Sequence, residues 1–429
     1  MAENTTYDLV VIGGGPAGMM AAGRAAQLGA RVILLEKNPS LGKKLLITGG
    51  GRCNLTNAEF DVRRFLAKLK ASQKFLFSPF SRFGVAETLA FFNERGMPTK
   101  IEAENRAFPE SNSARSVWEV LVEYMEKYKV RVETGAAVAG FACEEKQLVG
   151  VKLKDKRIIR GKNIVLATGG SSRPETGSTG EGFVWLKELG HTVILPTAAI
   201  VPVKTKEKWA HALAGVALAE AKLTAFQDGK KMTGNTGKLL FTHYGLSGPL
   251  ALNMSREIGE LLGYGAVTLG IDLMPGRDMK DIDTEILGKL AENHTKRVRN
   301  SLPGLTQTAI MNALIKQAGI DPEKPSNSVT REERQTLIRL LKHIPLTVSG
   351  LMGLDKAVVT SGGVKLEEVD FKTMRSKLYP NLYLVGDVLN IDRPSGGYSL
   401  QLCWTTGFVA GSSAAEASGK MFDKDPLFY

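Results

Sequence analysis

The sequence has few cysteines and histidines, three and five among its 429 residues. Cys53, Cys143 and Cys403 are odd in number and far apart. That pattern fits neither a disulfide framework nor a zinc site, and it is typical of a reducing compartment. The histidines show no metal-ligand spacing. These scarcities exclude a small disulfide-stabilised secreted domain and predict a protein without a metal.

Long apolar runs are also lacking. No stretch reaches the roughly 18 residues that a membrane helix needs. The first residues, MAENTTYD, show neither the basic nor the apolar region of a secretory signal. The sequence therefore predicts a cytoplasmic protein with no membrane partner.

Acidic residues are outnumbered by basic ones. The chain has 44 Asp and Glu against 56 Lys and Arg, which gives a formal net charge of +12. An enzyme for small metabolites does not need that excess, so the charge favours a polyanionic partner such as nucleic acid. Simple solubility is the more common reason for such a charge, and both interpretations stay open.

What the sequence does contain near its start is a nucleotide-binding pattern. An apolar strand leads into Gly13-Gly14-Gly15-Pro16-Ala17-Gly18, an Ala-rich helix follows, and a second apolar strand ends at Glu36. This is the order of a dinucleotide-binding βαβ unit: Gly13 allows the tight turn, Gly15 the approach of a pyrophosphate, and Gly18 close helix–strand packing. The helix N-terminus attracts the phosphates, and Glu36 is placed to accept hydrogen bonds from a ribose.

NAD and FAD both bind to the βαβ motif near the start of the chain. A second pattern, near the C-terminal end, distinguishes between them. The strand LYLVGD ends at Gly386-Asp387, and Gly396-Gly397-Tyr398 then opens a helix whose N-terminus can face an isoalloxazine ring. The two motifs together favour FAD, and an NAD-linked dehydrogenase is the alternative. A second GxGxxG motif with a trailing acid is missing, so a dedicated NAD(P)H domain is not expected, and NADPH or NADH would reach the flavin by transient docking.

The length of the chain predicts more than one domain. Residues 1–190 and 346–429 carry the nucleotide-binding patterns and are predicted to form one α/β domain, a Rossmann-like two-part FAD-binding domain. Residues 191–345 show a different pattern, typical of strands, hairpins and charged helices, and Gln227-Asp228-Gly229-Lys230 predicts a turn. They predict an inserted domain that combines a β-barrel with a helical part.

Three blocks resemble a known family. They are Leu41-Gly42-Lys43-Lys44 with TGGGRCNLTN at 48–57, Ala167-Thr168-Gly169-Gly170 with GSTGEG at 177–182, and Gly386-Asp387 with GGYSLQ at 396–401. This combination is similar to the BaiN/RdsA family of FAD-dependent oxidoreductases. The resemblance implies a Rossmann-like FAD domain with an inserted barrel-and-helix domain. Relatives often carry Asn where Ser399 stands, and serine offers one hydrogen-bond donor with less reach.

The patterns and the resemblance together give a set of candidate cofactor contacts. The predicted residues are Gly13, Gly15, Pro16, Ala17, Gly18, Glu36, Lys37, Lys44, Thr48, Gly49, Gly50, Gly51, Arg52, Cys53, Asn54, Val138, Ala167, Thr168, Gly169, Gly170, Gly386, Asp387, Gly396, Gly397, Tyr398 and Ser399. The three glycines of the TGGGRCN block let backbone N–H groups close on a flat ring, and Arg52 adds a positive charge. The GSTGEG stretch could line the ring pocket or only cap a helix.

Cys53 and Arg52 are the candidate catalytic residues. A thiol beside a flavin can act as a general acid. The more common role of such a cysteine is a small buried residue in a glycine-rich turn, and buried cysteines are usually inert.

The resemblance implies three activities. They are reduction of a uridine in large-subunit ribosomal RNA to dihydrouridine, oxidation of a small amine such as aminoacetone with oxygen, and reduction of a steroid-like enone. Basic segments at 61–83, with interleaved phenylalanines, and at 152–162 suit ribosomal RNA as partner, although an amphipathic helix with a solvated basic face explains them more simply. The net charge of +12 and the segment 61–83 together favour the RNA substrate. A flavin-binding redox sensor without turnover is a further alternative.

Overall fold

The computed structural model describes residues 5–145, 147–353 and 359–420, without the side chains of 195–199 and 359–361. The strands are β1 (Tyr7–Ile12), β2 (Val32–Glu36), β3 (Thr56–Asn57), β4 (Thr99–Glu102), β5 (Arg106–Pro109), β6 (Arg131–Thr134), β7 (Val138–Glu144), β8 (Gln147–Leu153), β9 (Ile158–Leu166), β10 (Val193–Ala199), β11 (Val203–Thr205), β12 (Ala217–Gln227), β13 (Lys230–Thr242), β14 (Gly245–Ser247), β15 (Val267–Asp272), β16 (Ile344–Leu351), β17 (Val359–Val364) and β18 (Leu382–Leu384).

The helices differ widely in length. They are α1 (Pro16–Gln27), α2 (Lys43–Leu46), α3 (Val62–Ala67), α4 (Gln73–Arg82), α5 (Val85–Asn93), α6 (Ala114–Lys127), α7 (Glu181–Glu188), α8 (Lys208–His211), α9 (Gly248–Leu262), α10 (Met279–Glu292), α11 (Thr308–Gln317), α12 (Arg331–Lys342) and α13 (Tyr398–Ala417). Short 3₁₀ turns, such as the one at Thr48–Gly51, connect several of them. None of the helices described is long and apolar enough to cross a bilayer.

The chain divides into two compact units, Met1–Ala198 with Val358–Tyr429, and Ala199–Ala357. The main sheet of the first unit has the order β6-β2-β1-β9-β8-β7, with β18 also paired to β9. Strand β1 is parallel to both β2 and β9, and β18 is parallel to β9. Every residue of β1 and β2 is buried, because a parallel sheet is covered on both faces.

Small residues explain how the longest helix of this unit packs. A Cβ at Gly407 or Gly411 of α13 would lie 2.4 Å from the backbone oxygen of Ala17 or Ala21 in α1. The two glycines, four residues apart, therefore give α13 a flat stripe against α1. This close contact brings the N-terminus of α13 near that of α1, at the carboxyl edge of the sheet.

The second unit is a closed barrel in the order β11-β14-β13-β12-β15-β16, accompanied by α8 to α12. The predicted turn is confirmed: Gln227 pairs with Lys230, and Asp228 and Gly229 both have positive φ, as a two-residue hairpin turn requires. The sequence pattern predicts an insertion at 191–345. In the structure the second unit starts at Ala199 and ends beyond residue 345. Strand β16 closes the barrel between β15 and β11, so the barrel needs residues beyond 345.

Candidate active site

A deep cavity opens in the first unit at the carboxyl ends of β1, β9 and β18. The space between its lining residues measures about 1230 Å³, with the open solvent at its mouth included. The N-termini of α1 and α13 contribute to its wall through Pro16, Ser399 and Leu400. Ligands of open α/β sheets bind at this edge because loops and helix N-termini meet there.

The three motif glycines occupy three different environments. Gly13 has φ +104°, and a Cβ there would lie 2.5 Å from the oxygen of Ala167. A Cβ at Gly18 would lie 1.9 Å from the oxygen of Gly13, so this position admits no side chain. A Cβ at Gly15 would meet nothing within 4 Å, and Gly15 lines the cavity. The open space beside Gly15 leaves the backbone at the start of α1 accessible to a phosphate group.

Glu36 lies at the end of β2, where it is buried and held by backbone and side-chain donors. It accepts hydrogen bonds from the N–H of Gly14 at 2.7 Å and from the N–H and Nδ2 of Asn38 at 2.8 and 2.7 Å. These bonds fix the carboxylate at the cavity wall. A carboxylate in that position suits the hydroxyl groups of a ribose.

Lys37, next to Glu36 in the cavity wall, binds side chains of the GSTGEG stretch at 177–182. Its ammonium donates to Thr179 Oγ1 at 2.7 Å and to Glu181 Oε2 at 2.6 Å. Burial raises the pKa of Glu181, but the Lys37 ammonium outweighs burial, so this pKa lies below its ordinary value. Residues 176–181 line the cavity. They therefore act as a wall of the cavity and not only as a helix cap.

Three charged side chains meet at the cavity wall, where Lys44 and Asp387 line the cavity and Arg393 lies behind Asp387. Lys44 donates to Ser172 Oγ at 2.6 Å and lies 3.5 Å from Asp387 Oδ2. On the other side of Asp387, the guanidinium of Arg393 binds Oδ1. Burial raises the pKa of Asp387, but Arg393 and Lys44 outweigh it, so the carboxylate stays charged. Two cations on one carboxylate leave this cluster with a net positive charge.

Arg393 also connects this cluster to α13. Its side chain is 2% exposed, and its Nε donates to Ser399 Oγ at 3.0 Å while Nη1 donates to the oxygen of Ile391 at 2.6 Å. Because Ser399 Oγ accepts this bond, its own hydroxyl hydrogen is left to point elsewhere, and Ser399 lines the cavity. Sequence reasoning missed Arg393. The available signal was a lone arginine in the loop between Asp387 and Gly396.

Arg52 is directed away from the cavity. Its guanidinium binds Glu102 with both terminal nitrogens, at 3.2 and 2.5 Å, and lies 4.1 Å from the centre of the Phe108 ring. Arg52 is not among the residues that line the cavity. In the structure its guanidinium pairs with Glu102 of the β4–β5 hairpin, whereas Lys44 is a cation that lines the cavity.

Gly49, Gly50 and Gly51 form a turn with positive φ at each residue, and Thr48, just before them, reaches the cavity. Cys53 follows this turn with no solvent exposure.

The predicted residues divide into two groups. Those that line the cavity are Gly13, Gly15, Pro16, Ala17, Glu36, Lys37, Lys44, Thr48, Val138, Ala167, Thr168, Gly169, Gly386, Asp387 and Ser399. Those outside its lining are Gly18, Gly49, Gly50, Gly51, Arg52, Cys53, Asn54, Gly170, Gly396, Gly397 and Tyr398. Gly18 and Gly397 are needed for backbone packing, since a Cβ at Gly397 would lie 2.3 Å from the backbone of Thr56. Lining residues that the sequence did not indicate include Asn38, Lys43, Trp185 and Cys403.

The thiols give a first testable expectation. Burial raises the pKa of Cys53 and that of Cys403 to about 12, so both are protonated at neutral pH, whereas Cys143 is exposed. We expect iodoacetamide to alkylate one cysteine, Cys143, in the native protein and all three after denaturation, as read by intact-protein mass spectrometry. Cys143→Ser should abolish native labelling. Rapid native alkylation at Cys53 would instead restore it as a reactive candidate.

The residues present fit an FAD. The glycine turn with open space at Gly15 suits a pyrophosphate, Glu36 suits a ribose, and the positive wall at Lys44 and Arg393 with the N-terminus of α13 suits a ring that gains negative charge. Among the described residues, no group of three or more His, Cys, Asp and Glu side chains is arranged to hold a metal ion.

Comparison with solved structures supports the class of fold. The structure is similar to 3-ketosteroid-Δ4-(5α)-dehydrogenase from Rhodococcus jostii RHA1, with a TM-score of 0.55 and 17% identity over 96% of this chain and 97% of that chain. Together with the parallel sheet, this similarity shows a Rossmann-type FAD-binding α/β fold.

Comparison of sequences places the chain in a family. The model of the HI0933-like protein Rossmann domain matches residues 7–413. A 3-dehydro-bile acid Δ(4,6)-reductase of Clostridium scindens is 32% identical over 95% of this chain and 98% of its own length. A ribosomal RNA dihydrouridine synthase of Escherichia coli is 30% identical over 94% and 96%. The chain belongs to the HI0933-like family of FAD-dependent oxidoreductases.

Proposed function

We propose that this protein reduces a carbon–carbon double bond conjugated to a carbonyl, and that its substrate is a uridine of large-subunit ribosomal RNA. The observation that supports the reaction is the positive wall formed by Lys44, Asp387 and Arg393 beside the N-terminus of α13. Such a wall stabilises a cofactor that holds an extra electron pair. The names of the two relatives, a bile acid reductase and a dihydrouridine synthase, both denote reduction of this kind of double bond.

FAD, when reduced and bound, supplies a hydride for the β-carbon of the conjugated carbonyl. The protein binds and orients this cofactor. Glu36 and the turn at Gly13–Gly15 hold the nucleotide, and Lys44 and Arg393 provide positive charge at the cavity wall. Electrons come from NADPH or NADH. Because the sequence carries one dinucleotide-binding motif, this donor has no domain of its own and docks transiently. The proton for the α-carbon does not come from Cys53 in this proposal, because Cys53 has no solvent exposure and does not line the cavity.

Uridine is preferred over a steroid-like enone because of charge. The identities to the two relatives, 32% and 30%, are too similar to select a substrate. A net charge of +12 suits a polyanion, whereas a bile acid offers a single carboxylate. The steroid-like enone remains the second candidate, on the strength of the bile acid reductase relative.

The test is a map of dihydrouridine in ribosomal RNA by mass spectrometry, from cells with and without the gene. We expect one dihydrouridine of the large subunit to disappear on deletion and to return when the gene is supplied on a plasmid. Complementation with Gly15→Ala, which is designed to lose FAD, should fail. An unchanged map would reject the RNA substrate, and anaerobic reoxidation of the reduced protein by enones would then identify the second candidate.

A further inference from the structure

Helix α3 and the start of α4 present a cationic surface. Arg63, Arg64, Lys68 and Lys74 are all exposed, and these four side chains are called the basic α3 face below. The opposite side of this segment is apolar, since Phe65, Leu66 and Leu69 have no exposure. The segment is therefore an amphipathic element fixed by its apolar side, with its cations held toward solvent.

The two carboxylates beside this face, Glu59 and Asp61, accept hydrogen bonds from backbone N–H groups. Asp61 caps α3 by accepting from the N–H groups of Arg63 and Arg64 at 2.8 and 3.1 Å, and Glu59 accepts from the N–H of Asp61. The ion pair of Asp61 with Arg64 is loose, at 3.9 Å. The face thus keeps an excess of positive charge.

The helix that carries the basic α3 face packs with its apolar side against the start of α13. The ring of Phe65, on the underside of α3, lies 4.7 Å from the ring of Tyr398, the first residue of α13. The next two residues of α13, Ser399 and Leu400, line the cavity. Asn57, a few residues before α3, donates to the oxygen of Gly396. A polyanion on this face would therefore lie on the outer side of a helix whose inner side packs against the α13 end of the cavity.

The other basic segment, 152–162, differs in its electrostatics. Its cations are paired with carboxylates from several parts of the unit: Lys154 with Glu181, Arg157 with Glu133 and Asp155, Arg160 with Glu144, and Lys162 with Asp8. Such pairs reduce the field that a phosphate would meet. Lys152 and Lys156 are exposed in the same segment and offer a matched control.

We propose that the basic α3 face is the docking surface for the RNA substrate and that the segment 152–162 is not. This inference rests on the proposed function and adds the location of the RNA. Phosphates need cations at the surface, which this face supplies on a helix that packs against α13. Single-stranded bases can stack on Phe60 and Phe77, which are 57% and 38% exposed at its edges.

Burial of the other rings sets the character of this binding. Phe65, Phe80 and Phe83 belong to the core, so few rings are available to bases. Binding should accordingly depend on phosphate contacts, with a strong response to salt and little preference for sequence at this face. The uridine would be selected in the cavity and not on the surface.

The experiment compares two double variants of the FAD-loaded protein, Lys68→Gln with Lys74→Gln, and Lys152→Gln with Lys156→Gln. The probe is a fluorescein-labelled single-stranded oligouridylate, and its anisotropy gives Kd across a series of KCl concentrations. We expect the first variant to bind about tenfold more weakly, with a salt slope smaller by about 0.7 for each phosphate that is no longer neutralised. The second variant should bind like the unmodified protein, and both should keep their FAD absorbance.

The outcomes separate this inference from the proposed function. Equal weakening in the two variants, or no weakening in the first, would overturn the basic α3 face. If the first variant weakens but the dihydrouridine map is unchanged on deletion, the face stands as an RNA-binding surface and the uridine substrate is wrong. If the map changes and the first variant still restores the dihydrouridine fully, the substrate stands and the face is wrong.

Discussion

Replacement of Gly15 by alanine is expected to remove FAD from a protein that still folds. The new methyl group would point into open space, with nothing within 4 Å, so it disturbs no neighbouring group of the fold. That open space lies in the cavity at the N-terminus of α1, where the backbone N–H groups must approach a pyrophosphate. We expect Kd for FAD to rise about a hundredfold, which is about 2.7 kcal/mol. Flavin fluorescence on titration of the apoprotein measures it.

Gly18→Ala is the matched control, because the same methyl group meets a very different environment. It would lie 1.9 Å from the oxygen of Gly13, so α1 must move away from the glycine turn. We expect a lower melting temperature of the apoprotein, whereas Gly15→Ala should melt like the unmodified apoprotein. FAD binding by Gly15→Ala at the original affinity would show that the pyrophosphate does not use this turn.

The local parts of this site could be predicted from the sequence because they depend on neighbours in the chain. Continuous apolar runs gave β1 and β2, the glycine turn with Pro16 at the first helical position gave the start of α1, and Glu36 lies where the motif requires an acid. The Asp228-Gly229 turn was equally local. In each case the backbone conformation or the burial is determined within a few residues.

The partners of charged side chains could not be predicted in this way. Arg52 stands in a motif that indicated a cofactor contact, yet its guanidinium binds Glu102, which is separated from it by 50 positions. The cations of 152–162 formed a run in the sequence, but carboxylates such as Glu181 and Asp8 reach them only in the folded sheet. Where a charge is directed depends on which distant carboxylate the fold places beside it.

Arg393 provides the second prediction with a large effect. Arg393→Met keeps an unbranched stem as far as the position of Nε but leaves Asp387 Oδ1, Ser399 Oγ and the oxygen of Ile391 without their guanidinium donor. Loss of one partner from a buried pair costs about 3 kcal/mol, the lower end of the usual range because Asp387 keeps 15% exposure. Arg115→Met, which removes an exposed i,i+4 pair with Glu119, is the control and should change stability by less than about 0.5 kcal/mol.

The pH dependence of this loss identifies its electrostatic origin. In the unmodified protein the pKa of Asp387 is lowered, so its charged form contributes stability above the unfolded value of about 3.9, and that contribution is lost as the pH falls through the folded pKa. Without Arg393, burial raises the pKa of Asp387 with less opposition. The variant then regains stability as the pH falls and the carboxylate takes up a proton. The difference between the two apoproteins should therefore be largest near neutral pH and shrink on acidification.

Thermal unfolding of the two apoproteins between pH 4 and pH 8 measures this difference. A loss that is the same at every pH would mean that Arg393 acts by filling space, with its charge irrelevant to Asp387. The FAD-loaded protein adds a readout that packing alone does not change. Since Arg393 supplies one of the two cations in the wall, Arg393→Met should lower the flavin midpoint potential, and Arg393→Lys, which keeps the charge, should restore much of it. A potential that is unchanged in Arg393→Met would place the flavin ring away from this wall.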